Sequence, residues 1–333
     1  MLDDQRPGTV YWVDHYVVPV TDIPRWSDFY TKALGAVPQV REPRPERPDR
    51  PAGGGGGGIL FTYVGQCHVG GSQTSQLTPG SGHPRYGWFI RTDDVEEHLR
   101  RLDANGVAHS GAIRTSEAGE SGTAIRFADP DGNQLELWAP EKLPDGAMAD
   151  ETSAKVGRIA SAELESRDLD RTNDFYSKYC ALEPLRSGEL GGDTTVLPLA
   201  AGGRLVFKRV DTLGNRTQGH AAYRALHQAL VVRDAEFLPA LERMYADLPE
   251  WDFDPNVIGE LRAADAEALP ARTGIHGNPI GPEWKSAFGR GDSFYDWDTN
   301  TFHFVNANPV GGSMATYESV AQRPYVDNKL AAK

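Results

Sequence analysis

The chain has 333 residues, of which 39% are hydrophobic and 24% charged, proportions typical of a soluble globular protein long enough for two domains. Its 47 acidic and 34 basic residues give a net charge of −13, which repels phosphate backbones and argues against a nucleic-acid partner. No apolar run reaches the roughly 18 residues of a membrane span, and the acidic, polar start MLDDQRPGTV is unlike a signal peptide. We therefore expect no membrane partner. Two cysteines form no disulfide framework and no Cys-based zinc site, so we expect a cytoplasmic protein.

The chain begins with a predicted strand, helix and hairpin. Val10–Val20 is rich in β-branched and aromatic residues and predicts a strand. A helix is predicted at 23–34, with Asp22 as its N-cap and Gly35 as its stop. Residues 41–58 contain too much proline and glycine for regular structure, so we expect a surface loop before the hairpin.

A second unit of the same kind follows. Its strand is predicted at Tyr86–Arg91 and its helix at Val95–Ala104. It closes with a hairpin in which the turn sequence DPDGN, from Asp129 to Asn133, separates two strands of alternating apolar residues. Residues 140–155 have the composition of a linker.

The second half of the chain repeats the first. The sequence DHYVVPVTDIPRWSDFY around His15 parallels RIASAELESRDLDRTNDFY around Ser161, and in both an Asp stands seven residues before a Phe-Tyr pair. The unit that closes with FADPDGNQLELW likewise parallels one that begins HQALVVRDAEF and closes with FYDWDTNTFHF. A duplicated scaffold that keeps histidine at some equivalent positions and loses it at others predicts one specialised site.

These units resemble the vicinal oxygen chelate superfamily, which includes glyoxalase I, extradiol dioxygenases and the fosfomycin and bleomycin resistance proteins. The resemblance rests on Asp14-His15, on Phe29-Tyr30 and on the segment Phe127–Trp138. It implies an α+β fold in which tandem βαβββ modules form two domains with curved half-barrel sheets, each able to cup a divalent metal. We expect an N-terminal domain at 1–145, a C-terminal domain at 155–310 and a tail at 311–333, an organisation similar to that of two-domain ring-cleavage dioxygenases.

The resemblance also implies the metal ligands, which in this superfamily come from the first strand of one module and the first and last strands of its partner. The corresponding residues are His15 in module one, Tyr86 and Glu136 in module two, Ser161 in module three, and His227 and His303 in module four. Pairing module one with four and two with three gathers His15, His227 and His303, and we favour this crossed arrangement. Sequential pairing, with His15 beside Glu136, is the alternative. The crossed set departs from the family in having His303 where a carboxylate is usual.

Three neutral imidazoles suit Fe(II) best, with Mn(II) or Zn(II) as alternatives, and favour an anionic chelating substrate such as a phenolate or enolate. The resemblance therefore predicts a dioxygenase that uses O2 to cleave the ring or a C–C bond of a small phenolic or enolic compound. Tyr295 and His276 are candidate catalytic residues, as a hydrogen-bond donor to a bound oxygen and as an acid or base. His68 is a spare ligand, and we expect His98 and His109 to be solvated.

Two other functions are compatible with the same residues. One is a metal-dependent isomerase or lyase of the glyoxalase or epimerase type, which needs no O2. The other is a non-catalytic protein that binds a flat small molecule, as the resistance proteins do, in a groove lined by residues such as Trp88 and Trp138. A homo-oligomer is left open by the sequence.

Overall fold

The computed structural model describes residues 9–38, 59–65, 67–73, 85–117, 120–148, 154–185, 192–214, 227–232, 243, 247, 272–273, 279–280, 293–296 and 300–306. Within these ranges lie three helices, α1 (Ile23–Leu34), α2 (Val95–Ala104) and α3 (Leu169–Cys180), and a 3-10 turn at Thr92–Asp94. The longest of them have 12 residues, and no helix in this described part of the chain is long and apolar enough to cross a membrane.

The strands occur in four groups along the chain. Module one contains β1 (Val13–Val20), β2 (Val37–Pro38), β3 (Ile59–Val64) and β4 (Cys67–Gln73), and module two contains β5 (Arg85–Phe89), β6 (Ile113–Glu117), β7 (Glu120–Ala128) and β8 (Gln134–Pro140). Module three contains β9 (Ile159–Ser166), β10 (Thr194–Pro198) and β11 (Arg204–Arg209). Module four contains β12 (His227–Val232), β13 (Arg272–Thr273), β14 (Pro279–Ile280), β15 (Ser293–Tyr295) and β16 (Thr301–Asn306).

Fourteen of these strands assemble into two seven-stranded mixed sheets that each combine the two halves of the chain, and β13 and β14 pair separately as a two-stranded sheet. The first sheet has the order β15-β16-β12-β1-β4-β3-β2 and joins module one to module four, through the antiparallel pair β1–β12. The second sheet has the order β10-β11-β9-β5-β8-β7-β6 and joins module two to module three, through the antiparallel pair β5–β9. The modules therefore pair in the crossed order, and the predicted α+β fold of βαβββ modules is confirmed. The domain bounds at 1–145 and 155–310 stay a prediction.

The repeat seen in the sequence extends to the helix starts. The Asp22 side chain accepts a hydrogen bond from the backbone N–H of Arg25 at 2.9 Å, and that of Asp168 accepts one from Arg171 at 3.1 Å. Each bond satisfies a backbone donor that the first turn of a helix leaves without an intrahelical partner. The helix following the first strand thus begins in the same way in modules one and three.

The two sheets are held together by contacts that are also repeated. Asn133, in the turn between β7 and β8, donates its side-chain N–H to the carbonyl of Pro19 on β1 at 3.1 Å. Asn300, in the turn between β15 and β16, donates in the same way to Glu165 on β9 at 3.0 Å. The closing turn of each sheet therefore contacts the first strand of a module in the other sheet, β1 or β9.

An aromatic core fills the space between the sheets. Tyr16 of β1 stacks on Tyr86 of β5, with ring centroids 3.6 Å apart and planes 5° from parallel. Gln228 of β12 donates a hydrogen bond to the Tyr86 hydroxyl at 2.6 Å. The face of β1 and β12 that carries Tyr16 and Gln228 is therefore turned towards the second sheet.

The structure corrects the expectation that His98 is solvated. His98 lies on the inner side of α2, is only 1% exposed, and donates from Nε2 to the carbonyl of Lys155 at 3.2 Å. Burial lowers the pKa of this imidazole, because the charged form loses its hydration. The chain segment just before β9 covers the helix, which the helical sequence alone does not indicate. His109 is half-buried and donates to Asp103 at 3.0 Å.

Candidate metal centre

The register of β1 and β12 brings two of the predicted ligands onto one face of the first sheet. His15 lies opposite Ala229, and His227 lies opposite Val17. Directly opposed residues share a face, whereas Tyr16 and its partner Gln228 are turned to the second sheet. His15 and His227 are therefore diagonal neighbours on the face that points away from the second sheet.

The two imidazoles are close enough to bind one ion. Their ring centroids are 5.6 Å apart, their planes cross at 84°, and both residues are only 3% exposed. Two imidazoles that bind one ion through nitrogens at about 2.1 Å have centroids at most roughly 6 Å apart. The observed separation is compatible with that limit, and the edge-on arrangement is not that of stacked rings.

Asp14 orients the His15 ring. The His15 Nδ1 donates to the Asp14 carboxylate at 2.7 Å, and Asp14 is 6% exposed. Neighbouring strand residues usually point to opposite faces, but the register shifts between Val13 and His15, so Asp14 is the extra residue of a β-bulge. A carboxylate on Nδ1 fixes the tautomer and makes Nε2 the nitrogen through which this ring would bind a metal.

For the other candidate site residues, the structure describes the backbone position at most. His303 lies opposite Ala229 in the parallel pair β12–β16, and His68 lies opposite His15 in the parallel pair β1–β4. Tyr295 lies opposite Thr301 in the pair β15–β16. The side chains of His303, His68 and Tyr295 are outside the described part of the structure, and His276 is outside the described residues altogether. Among the side chains that are described, no three His, Cys, Asp or Glu residues are grouped to hold a metal ion.

The register of the second sheet identifies the residues equivalent to Asp14, His15, His227 and His303. This register shifts between Gly87 and Trp88, which leaves Ala160 as the extra residue of a bulge on β9, just as Asp14 is on β1. Ser161 lies opposite Gly87, and Gly87 lies opposite Glu136, as His15, Ala229 and His303 do in the first sheet. The equivalent of His227 is Arg85 and not Tyr86, so the sequence-based placement of Tyr86 is wrong by one residue.

Ion pairs link the residues at these positions in the second sheet. The Arg85 guanidinium lies 2.6 Å from the Glu163 carboxylate and 4.0 Å from that of Glu136. Glu136 also receives the Arg126 side chain at 2.8 Å, and Glu163 that of Lys208 at 2.8 Å. Glu136 thus belongs to a charge network within the second sheet. The modules pair in the crossed order, so the sequential pairing that would place Glu136 beside His15 is wrong.

Comparison with known proteins agrees with this architecture. The profile of the glyoxalase/bleomycin resistance protein/dioxygenase superfamily matches residues 12–137. The matched segment covers modules one and two of the chain. Members of this superfamily include metal-dependent enzymes such as dioxygenases and glyoxalase I. A search of curated proteins found no significant match to the chain.

Solved structures share the fold over nearly the whole chain. A Bacillus subtilis protein provisionally assigned as a dioxygenase has a TM-score of 0.56 and 16% identity, over 96% of this chain and 93% of its own. Glyoxalase I from Zea mays has a TM-score of 0.54 and 17% identity, over 89% of this chain and 92% of its own. At these identities the similarity concerns the fold, and the activity must be argued from the site.

Two residues of these sites were missed by sequence reasoning. Asp14 was noted only as part of a motif, yet it holds His15, and Arg85 was not considered at all. Both had a signal. Asp14-His15 is replaced as a pair by Ala160-Ser161, and Arg85 stands six residues before Arg91 just as His227 stands six before Arg233.

Proposed function

We propose that this protein is a metal-dependent dioxygenase that cleaves the ring or a C–C bond of a small phenolic or enolic substrate. The observation that carries the proposal is the pair His15–His227, buried on one face of the first sheet with Asp14 bonded to His15. The similarity of residues 12–137 to a superfamily that contains dioxygenases and glyoxalase I supports an enzymatic role.

The ligands would be His15, His227 and His303, and Fe(II) is the metal that this set favours, with Mn(II) or Zn(II) as alternatives. His303 is included because its backbone lies opposite Ala229, which in turn lies opposite His15. When bound, Fe(II) supplies Lewis acidity for a chelating phenolate or enolate and a redox partner for O2. The low exposure of His15 and His227 keeps bulk water away from the ligand nitrogens.

Asp14 adds a negative charge beside the three neutral ligands. Three imidazoles leave the centre without a ligand carboxylate, but the Asp14 carboxylate lies one hydrogen bond behind His15. It holds the ring proton on Nδ1, makes Nε2 a better donor and places a negative charge near the site without occupying a coordination position. Room for a bidentate substrate and a further small molecule is therefore retained. Tyr295 and His276 stay the proposed groups for hydrogen bonding and proton transfer.

The test combines metal analysis with oxygen uptake. Protein purified without chelator, aerobically and anaerobically, should contain about one iron per chain, and an oxygen electrode should record uptake with one of a panel of catechols, hydroquinones and 1,3-diketones. His15→Ala and His227→Ala should each lose the iron and the uptake, whereas His109→Ala, at a histidine remote from the site, should keep both. Proton exchange or isomerisation of the same compounds without oxygen uptake would instead favour the isomerase or lyase function.

A further inference from the structure

The second sheet buries two carboxylates on the face that corresponds to the histidine face of the first sheet. The side chain of Glu136 is fully buried and that of Glu163 is 6% exposed. Glu136 lies opposite Gly87, and Glu163 lies opposite Arg85. Two carboxylates buried this deeply repel each other and need a positive charge between them.

Arg85 supplies a charge between them from the position that His227 has in the first sheet, in addition to Arg126 on Glu136 and Lys208 on Glu163, each at 2.8 Å. Its two terminal nitrogens face Glu163 and Glu136, at 2.6 and 4.0 Å. In both sheets a bulge shifts the register of the antiparallel pair at the same place. Counted from that bulge, Arg85 on β5 and His227 on β12 have the same position, so their equivalence does not depend on sequence similarity.

Donor atoms still converge on the centre of this sheet. A Cβ atom placed on Gly87 would lie 2.6 Å from Ser161 Oγ and 3.3 Å from Glu136 Oε1. Ser161 has the position of His15, Glu136 that of His303, and the bulge residue Ala160 that of Asp14. Glu136 Oε1 therefore faces the same space as Ser161 Oγ, while Oε2 of the same carboxylate is held by Arg126 at 2.8 Å.

We propose that the second sheet contains a latent binding position for a borderline divalent cation such as Zn²⁺ or Co²⁺, closed in the native protein by the guanidinium of Arg85. A side chain that carries its own positive charge balances Glu136 and Glu163 permanently, whereas a bound ion would balance them only when present. In the native chain this leaves the centre of the first sheet as the metal site, a statement that rests on the function proposed above.

Three substitutions should open the position. Ser161→His and Arg85→His restore the two imidazoles, and Ala160→Asp restores the carboxylate that orients the first of them. Together with Glu136 they form a set of two histidines and one carboxylate, which suits Zn²⁺ and Co²⁺. The incoming ion replaces the charge that is removed with Arg85.

The experiment is done in a full-length chain that also carries His15→Ala and His227→Ala, so that the first sheet contributes no metal. This background alone should hold almost no Zn²⁺ after dialysis.

Adding the three substitutions to this background should raise the Zn²⁺ content to about one ion per chain. With Co²⁺ instead of Zn²⁺, the same variant should show the visible spectrum of a four-coordinate ion. Adding Glu136→Gln to these should weaken binding about tenfold or more. The matched control carries Ala160→Asp and Ser161→His but keeps Arg85, and it should bind no more metal than the background.

Folding is followed separately, because the variant without Arg85 is destabilised until metal binds. Its thermal midpoint should rise on addition of Zn²⁺, whereas the midpoint of the control that keeps Arg85 should not. The proposal is overturned if the background chain holds an ion that Glu136→Gln removes, since the position is then open in the native protein. It is also overturned if the folded triple variant takes up no additional metal. Neither result depends on whether the first sheet supports a dioxygenase.

Discussion

The two sheets share strand order, bulge and connecting hydrogen bonds, but differ at the four positions where a metal would bind. The first sheet has a buried imidazole pair backed by a carboxylate, and the second has a buried carboxylate pair bridged by a guanidinium. The pairs of equivalent residues are Asp14 and Ala160, His15 and Ser161, His227 and Arg85, and His303 and Glu136. All four positions thus differ between the sheets, while the scaffold around them is preserved.

Electrostatics explains why cations lie beside Glu136. A buried carboxylate without a counter-charge is costly, so Glu136 needs cations nearby, and Arg126 and Arg85 lie 2.8 and 4.0 Å from it. Arg85 provides one with a planar group that reaches two carboxylates at once. Ser161 and Ala160, at the positions of His15 and Asp14, are small and buried.

The largest effect should follow from removing the cation of the second sheet. Arg85→Met keeps the length of the side chain but removes the cation between Glu136 and Glu163, which keep only Arg126 and Lys208, 39% and 45% exposed. We therefore expect a loss of up to about 3–5 kcal/mol in the free energy of unfolding. Urea denaturation measures it. The control is Lys208→Met, because Lys208 pairs with the same Glu163 but is 45% exposed, and its loss should be about 1 kcal/mol or less. Equal losses in the two variants would contradict the central position assigned to Arg85.

The second prediction concerns the turns that connect the sheets, and it depends on pH. Burial raises the pKa of Asp129 from its ordinary 3.8 to about 6, despite hydrogen bonds from Asn133 and Asp131 that favour the ionised form. The folded state therefore holds this proton more tightly than the unfolded chain. The resulting stabilisation is complete below pH 3.8 and is lost as the pH rises through about 6, and it amounts to about 3 kcal/mol at most.

Replacing the carboxyl group in Asp129→Asn should remove this dependence. Between about pH 4 and pH 7, the free energy of unfolding of the native chain should fall by up to about 3 kcal/mol relative to that of Asp129→Asn. Asp28→Asn is the control, because Asp28 is exposed on α1 and this variant keeps Asp129, so the fall should remain. Parallel profiles for the native chain and Asp129→Asn would instead show that Asp129 does not titrate in this interval.

The third prediction tests the carboxylate behind His15. Asp14→Asn preserves the shape of the side chain but removes the negative charge that fixes the ring, and metal affinity should fall about 10–100-fold. Titration against a competing chelator measures the change. Asp103→Asn is a matched control, since Asp103 accepts a hydrogen bond from His109 on the surface at 3.0 Å and should not affect the metal. Unchanged affinity in Asp14→Asn would place the ion elsewhere than at Nε2 of His15.

Much of the fold could be predicted from the sequence because it depends on local signals. The repeated Asp22 and Asp168 caps, the alternating strands and the closing turns at Asp129 and Asp296 are all recognised within a few residues. The positions of His15 and His227 were also predicted, and the structure places them side by side. What failed depended on contacts between distant segments. The burial of His98 is produced by the segment at Lys155, and the position of Arg85 is fixed by its pairing with Glu163.

The smallest effect should come from the contact that joins the two sites across the core. Gln228 follows His227 on β12, Tyr86 follows Arg85 on β5, and the two side chains share a hydrogen bond of 2.6 Å. Tyr86→Phe removes the bond but keeps the stack on Tyr16, so we expect a loss of about 1 kcal/mol in the free energy of unfolding. Tyr16→Phe, which removes only a longer contact of 3.3 Å to Tyr30, should cost less. If Tyr86→Phe also lowered metal content while Tyr16→Phe did not, then the position of His227 would depend on the second sheet, and the two sheets would not be independent in their chemistry.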